Sequence, residues 1–260
     1  MATIRYDFSG KTVLVTGASR GIGYGIAEGF ARAGADVTIL ASGAGVDAAA
    51  SALSEACGWP VKALRCDITD SGQVRSALRD FEHIDILVNN AGLERITPLA
   101  DPDDAVEETF RRIIDINVIG TYLVTRHAAA RMRKGGRILL TASIWSRTAV
   151  AEFSAYVASK HANLGFMRAI AHELGPKGIT VNAVCPGWVE TEASMLSLAH
   201  MAERSGRPEK DLLDEIVSAQ VLDGLMQPAD MAALYLFLAS DEARDITGQA
   251  YMLDRGEVMA

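Results

Sequence analysis

Ser143, Tyr156 and Lys160 are the residues of this chain whose types and spacing suit chemistry. They set a hydroxyl, a phenol thirteen residues on, and an ammonium four residues after that. A Tyr and a Lys at i and i+4 share one face of a helix. There the ammonium can stabilise a phenolate and lower a phenol pKa that is about 10 when unperturbed. A phenol tuned toward neutrality exchanges protons with an alcohol or a carbonyl. Ser143, expected at a strand end, can hydrogen-bond the same substrate oxygen. The Tyr-x-x-x-Lys pair alone fits a surface lysine beside a packed tyrosine equally well, so the elements around it decide.

Thr16-Gly-Ala-Ser-Arg-Gly-Ile-Gly23 follows the apolar run 12–15 and opens a helical pattern from Ile22. Strand, glycine turn and helix start make a dinucleotide-binding arrangement. In it Gly17 permits the tight turn, Gly21 lets the backbone approach a pyrophosphate, and Gly23 lets the helix pack close to the strand. The helix N-terminus offers free N–H groups and partial positive charge to phosphates. The spacing is G-x-x-x-G-x-G.

The rest of the chain alternates short β-branched runs (13–15, 37–40, 61–64, 86–88, 137–140, 180–184, 250–253) with helical stretches (25–33, 47–56, 71–81, 105–133, 155–173). Apolar runs separated by helices imply a parallel sheet covered on both faces. The expected fold is therefore α/β: a single Rossmann-type domain over residues 1–260, a doubly wound parallel sheet of about seven strands with helices on both faces. Pro102 and Pro228 read as helix starts. Residues 191–224, rich in Met, Leu and charge, break the rhythm and read as either a substrate lid or a plain amphipathic helix pair.

The glycine loop, Asp67, Asn89-Asn90-Ala91-Gly92, Asn117, Ser143, Tyr156, Lys160 and Pro186-Gly187 occur in an order that resembles the short-chain dehydrogenase/reductase family over residues 8–254. The resemblance implies an NAD(P)-dependent oxidoreductase that interconverts a small secondary alcohol and its ketone by hydride transfer. It makes Tyr156 the general acid in reduction and the base in oxidation. Lys160 would tune it and hold the nicotinamide ribose, and Ser143 would orient the substrate oxygen. Asn117 would kink its helix and hold a water linking Lys160 to solvent. Cofactor contacts are expected from Gly17, Ser19, Arg20, Gly21, Ile22, Gly23, Ser42, Asp67, Ile68, Asn90, Ala91, Gly92, Tyr156, Lys160, Pro186, Gly187, Val189 and Thr191. Asp67 reads either as the partner of the adenine amino group or as a cap for the helix after Thr69.

NAD against NADP turns on the end of the second strand, where a carboxylate would bind the ribose 2′-hydroxyl and repel a 2′-phosphate. Ala41-Ser42-Gly43 stands there, and Asp36 lies at the wrong end of that strand. Arg20 and Ser42 then favour NADP, with NAD as the alternative.

For the substrate half, Glu94, Trp145 and Trp188 are the nominated residues, with Arg95, Phe153 and Glu190 near them. Glu94 and Arg95 bind substrate hydroxyls or a carboxylate, or pair with each other. The stretches 155–161 and 185–189 resemble hydroxybutyrate dehydrogenases. The His and Lys of the carboxylate-binding cluster in those enzymes are replaced here by Trp145 and Phe153, which argues against 3-hydroxybutyrate and leaves a small alcohol, ketone, sugar, polyol or other hydroxy acid. Leu253-Asp254-Arg255-Gly256-Glu257 departs from the usual Asp-Gly-Gly, and Arg255 is expected to alter a subunit contact.

The formal net charge is −8, with 25 basic and 33 acidic residues and no basic stripe, which argues against nucleic acid and anionic membrane as partners. Five histidines and three cysteines lack metal-ligand spacing, so no metal is expected. With no signal peptide or spanning run in view, a cytoplasmic homotetramer is the expectation, the tetramer from the resemblance alone. The alternatives are a non-catalytic dinucleotide-binding regulator or structural homologue and a sugar-nucleotide epimerase or dehydratase.

Overall fold

Alternation along each strand sets the layers. In β1 (Thr12–Thr16) Val13 and Val15 enter one buried cluster while Leu14 enters another. The same split recurs in β2 (Asp36–Ala41), with Ile39 on the first side and Leu40 on the second. Successive side chains of a strand point to opposite faces, so runs apolar at every position require cover on both. The computed structural model describes residues 5–259 and supplies that cover; residues 1–4 and 260, the ends of the expected unit, lie outside them.

The remaining strands are β3 (Val61–Arg65), β4 (Ile86–Asn89), β5 (Arg137–Thr141), β6 (Thr180–Pro186) and β7 (Ala250–Leu253). They form one parallel seven-stranded sheet of order β3-β2-β1-β4-β5-β6-β7. Helices α1 (Gly21–Arg32), α2 (Gly45–Cys57) and α9 (Ala232–Ala239) cover the first face through Ile26, Phe30, Leu53, Tyr235 and Leu238. Helices α3 (Ser71–Ala77), α5 (Thr121–Ala129) and α6 (Ser154–Leu174) cover the second through Val74, Val124, Leu164 and Met167. The chain reverses its direction of winding between β1 and β4, and ligand clefts of such sheets open beyond the strand C-termini at that point.

Three local differences from the expected elements have physical causes. The 105–133 stretch is not one α-helix: α4 (Asp104–Ile114) and α5 flank a π-helical turn, Asp115–Gly120, that contains Asn117. Pro102 precedes α4 rather than starting it, and the Asp103 carboxylate caps it by accepting from the Ala105 N–H (2.9 Å). Arg255 is engaged within its own chain. Its guanidinium donates to the Asp223 and Leu225 carbonyls (2.7 and 3.4 Å), while its backbone takes φ +56°. A non-glycine residue there carries about 1–3 kcal/mol of strain, which two charge-assisted hydrogen bonds offset.

Residues 191–224 fold as α7 (Glu192–Ser205) and α8 (Glu209–Ser218), packed on a small cluster of Trp188, Leu198, Ala202 and Leu212 separate from the two main ones. Among the described residues no helix is long and apolar enough to cross a membrane.

Candidate active site

A cleft of about 480 Å³ opens at the C-terminal ends of β1, β2, β4, β5 and β6. Its floor begins with the glycine loop. Gly17 has φ +65°, and a Cβ there would lie 2.6 Å from the Ala91 Cα. Gly21 has φ +56°. A Cβ on Gly23 would meet the Asn90 amide at 2.4 Å and the Gly17 carbonyl at 2.5 Å, so Gly23 lets α1 press on the loop itself as well as on β1. Arg20 occupies the cap position of α1 in extended conformation, and no side chain caps the helix. Its first N–H groups therefore face the cleft, the arrangement that receives phosphate.

The β4 loop clamps this turn. The Asn90 side chain donates to the Thr16 and Gly17 carbonyls (both 3.1 Å), and the Asn90 and Ala91 N–H groups donate to the Thr16 hydroxyl (both 3.0 Å). Asn89 reaches back to Thr125 (2.9 Å).

Of the nominated cofactor residues, Gly17, Ser19, Arg20, Gly21, Ile22, Ser42, Asp67, Ile68, Asn90, Ala91, Gly92, Tyr156, Lys160, Pro186, Gly187, Val189 and Thr191 line the cleft; Gly23 lies behind it. Two carry partners that the sequence did not suggest. Asp67 accepts from the Thr69 N–H and hydroxyl (2.9 and 2.7 Å) and pairs with Arg112 (3.3 Å), which holds its carboxyl below the usual range against the opposing effect of burial. It does not cap the following helix: Asp70 does, accepting from Gly72 and Gln73. Arg20 crosses the cleft mouth to Glu192 at 3.5 Å, with both side chains exposed.

A cation that sequence reasoning did not nominate, Arg65, stands beside Ser42. It ends β3 beside Ala41 of β2, and its Nε donates to the Ser42 carbonyl at 3.2 Å. No motif marks it; the strand register alone brings it there.

The reacting end is built on β5, the short 3₁₀ turn Ile144–Ser146 and α6. Ser143 caps that turn, and its Oγ accepts from the Trp145 N–H at 3.1 Å. Accepting there leaves the hydroxyl proton available to a substrate oxygen. Lys160 lies on α6 one turn beyond Tyr156, its Nζ 5.4 Å from the Tyr156 ring centroid. It donates to the Thr141 carbonyl at 2.7 Å. Burial lowers the Lys160 pKa to about 8, with Glu94 and Cys185 opposing.

The Tyr156 phenol is enclosed by the protein. Burial first and the Glu94 charge second push its pKa up, and Ser143 pulls in the other direction. Desolvation is the largest of these effects, because burial disfavours the charged phenolate.

Asn117 does not line the cleft. It is fully buried and clamps the β4 loop: its Oδ1 accepts from the Leu93 N–H (2.7 Å), and its Nδ2 donates to the Leu93 carbonyl (3.0 Å) and the Ser159 hydroxyl (2.9 Å). Its contacts are thus to protein groups, and the long helix is interrupted at it by the π-turn.

Glu94, Trp145 and Trp188 all line the cleft. Trp145 stands edge-on to Tyr156 (centroids 5.9 Å) and to Trp188 (6.5 Å). Phe153 packs behind Trp145 at 5.1 Å and is fully buried, a wall support rather than a contact surface. Arg95 donates to the backbone carbonyl of Glu94 at 2.7 Å, so the two side chains form no ion pair. Glu190 accepts from Gln227 (2.6 Å), away from the cleft. Among the described residues no group of three or more His, Cys, Asp or Glu could hold a metal ion.

Comparison with known proteins agrees with this geometry. Residues 17–257 match a family model described as enoyl-(acyl carrier protein) reductase. The D-beta-hydroxybutyrate dehydrogenase of Cupriavidus necator is 35% identical over 96% of this chain and 98% of its own. Among solved structures, a short chain dehydrogenase from Burkholderia cenocepacia in complex with NADP superposes with TM-score 0.83 at 34% identity, covering 96% of this chain and 98% of that one. The L-sorbose reductase of Gluconobacter frateurii, complexed with NADPH and L-sorbose, superposes with TM-score 0.89 at 28% identity over 99% and 100% of the two chains.

Proposed function

The chain belongs to the short-chain dehydrogenase/reductase family, and from that premise we propose that it interconverts a small secondary alcohol and its ketone with NADP, NAD being the weaker alternative. The observation that carries the reading is the convergence of Ser143, Tyr156 and Lys160 with an uncapped helix N-terminus in one cleft. The glycine cradle fits a dinucleotide, since Gly17 and Gly23 let the turn, the β4 loop and α1 close on one another and leave the helix N–H groups facing the cleft. Bound there, the nicotinamide would supply or accept hydride.

The protein's own part is proton handling and orientation. Ser143 donates to the substrate oxygen and fixes it against Tyr156. Tyr156, with its pKa raised, gives its proton to the oxygen as that oxygen becomes an alkoxide, and takes it back in the reverse direction. The Lys160 ammonium stabilises the phenolate so formed and binds the ribose hydroxyls. Its lowered pKa places the loss of that charge near pH 8. Asn117 fixes the β4 loop, and through it Gly92 and Glu94, against α6.

The preference for NADP is supported by Ser42 and Arg20 in the cleft, with Arg65 at the end of β3 bonded to the Ser42 carbonyl. The NADP and NADPH complexes of the Burkholderia and Gluconobacter relatives point the same way. The Cupriavidus and Gluconobacter relatives frame the substrate: one is named for a hydroxy acid, D-beta-hydroxybutyrate, and the other for a ketose, L-sorbose. Residues 191–224 act as the substrate lid, and the protein works as a cytoplasmic homotetramer. Exposed Phe110, Ile119 and Tyr122 on the α4–α5 face support assembly, and light scattering tests it.

The decisive experiment titrates the protein with NADPH and NADH by fluorescence and then follows NADPH consumption over a panel of small ketones. Tighter NADPH binding with turnover of a ketone is expected. Binding without turnover of any ketone or alcohol would replace the enzyme by a dinucleotide-binding regulator.

A further inference from the structure

The cleft contains a carboxylate that proton transfer does not require. Glu94 sits on the loop after β4, and the backbone on both sides of it is fixed. Before it, Leu93 is held by Asn117 through two hydrogen bonds. After it, the Thr97 N–H donates to the Glu152 carbonyl (2.6 Å), and the Thr97 hydroxyl accepts from the Ala155 N–H (3.1 Å) at the start of α6. A rigid loop therefore aims this side chain into the space shared by Ser143, Tyr156 and Lys160.

Glu94 has three neighbours of consequence. Ser197, 3% exposed on α7, brings a hydroxyl from the lid side. Lys160 and Arg95 are the cations that face it, and Arg95 commits a guanidinium hydrogen bond to the Glu94 backbone. Burial raises the carboxyl pKa, while Ser197, Lys160 and Arg95 pull it down. The side chain remains half-buried, with part of its surface turned to the cleft. The opposite wall is aromatic, Trp145 and Trp188.

Resting on the alcohol–ketone reading above, we propose that Glu94 selects substrates carrying a second hydroxyl close to the reacting carbon, of the hydroxyketone and polyol kind. The same carboxylate rejects substrates whose second polar group is itself a carboxylate.

The reasons are electrostatic and steric. A carboxylate without an ion-pair partner among the described residues accepts several hydrogen bonds, and a substrate hydroxyl supplies a donor beyond that of Ser197. A second carboxylate brought to it in a partly desolvated cleft meets like charge that bulk water no longer screens. An ammonium substrate is disfavoured because Lys160 lies on the same side of the space. The Trp145–Trp188 corner offers apolar surface to the C–H groups of a small hydroxylated chain. A site built to hydrogen-bond a hydroxyl also discriminates strongly against the analogue without it, because its own polar group is then left unpaired.

The test measures kcat/KM with NADPH for hydroxyacetone, butanone and acetoacetate in the full-length protein and in Glu94→Gln and Glu94→Ala. The unmodified protein is expected to favour hydroxyacetone over butanone by about tenfold or more and to be slowest with acetoacetate. Glu94→Gln, which removes the charge and keeps the shape, should raise the acetoacetate-to-butanone ratio by about tenfold or more. Glu94→Ala should erase the hydroxyacetone-to-butanone preference. Should either variant fail to fold, competition on the unmodified protein reads the same selection: glycerol should inhibit butanone reduction and propionate should not. Unchanged ratios in both variants, or inhibition by propionate and not by glycerol, would overturn the proposal while leaving the alcohol–ketone reading intact. NADPH binding without turnover of any of the three ketones would instead sink that reading and this proposal with it.

Discussion

The two halves of the cleft are built by different means. The cofactor half is backbone: positive-φ glycines, an uncapped helix end and a β4 loop locked by four hydrogen bonds to the end of β1 and the turn after it. The substrate half is side chains drawn from separate segments: Glu94 from one loop, Trp145 from a 3₁₀ turn, Trp188 after β6 and Ser197 from α7. A backbone cradle recognises what is common to every dinucleotide and tolerates little substitution. A side-chain pocket can be rewritten residue by residue while the cradle stands. The chemistry lies on the seam, where Tyr156 and Lys160 belong to both halves.

Tyr156→Phe should break the seam and show that the halves are separable. Removing the phenolic proton is expected to cut kcat by about 10²–10⁴-fold, the usual worth of a general acid. The NADPH dissociation constant, read by fluorescence, should stay close to the unmodified value. Retained turnover would remove Tyr156 from its role.

Gly17→Ala should break the cofactor half alone. The new methyl would sit 2.6 Å from the Ala91 Cα at φ +65°, so both the turn and the β4 loop must shift. A loss of about 1–3 kcal/mol in stability, measured by urea unfolding, should accompany weakened binding of NADPH and NADH alike.

Arg65→Ala should sharpen the comparison within the cofactor half, because it leaves the cradle intact. A lost charge-assisted contact to the 2′-phosphate predicts an NADPH dissociation constant about tenfold higher, with NADH unaffected. Equal effects on both cofactors would return the 2′-position to Arg20 and Ser42.

The smallest expected effect lies behind the Pro186–Gly187 turn. Glu257 Oε2 is buried without a hydrogen-bond partner, 3.4 Å from where a Gly187 Cβ would be. Burial and Asp254 raise this carboxyl to about 7 from its ordinary 4.5. Between those values the folded form keeps a proton that the unfolded chain has lost, so stability contributed below pH 4.5 disappears as pH rises through about 7. Glu257→Gln should flatten the pH dependence of Tm between pH 5 and 8. An unchanged profile would show that Glu257 does not titrate in that window.

The sequence by itself determined the fold and the seam. Strand runs apolar at every position, such as Val13-Leu14-Val15, permit only a sheet covered on both faces, and β7 follows the expected 250–253 residue for residue. Glycines at fixed offsets and a Tyr and Lys one helical turn apart are short-range patterns, set by φ and by 3.6 residues per turn, and short-range patterns survive in a linear string. Only the tertiary structure decided the rest, because contacts between distant segments leave no local spacing. It put Arg65 beside Ser42 through the β2–β3 register and turned Arg20 to Glu192. It gave Asn117 to Leu93 and Ser159, and Arg255 to carbonyls of its own chain. It buried the Tyr156 phenol, and that burial raises its pKa, an effect that no residue spacing announces.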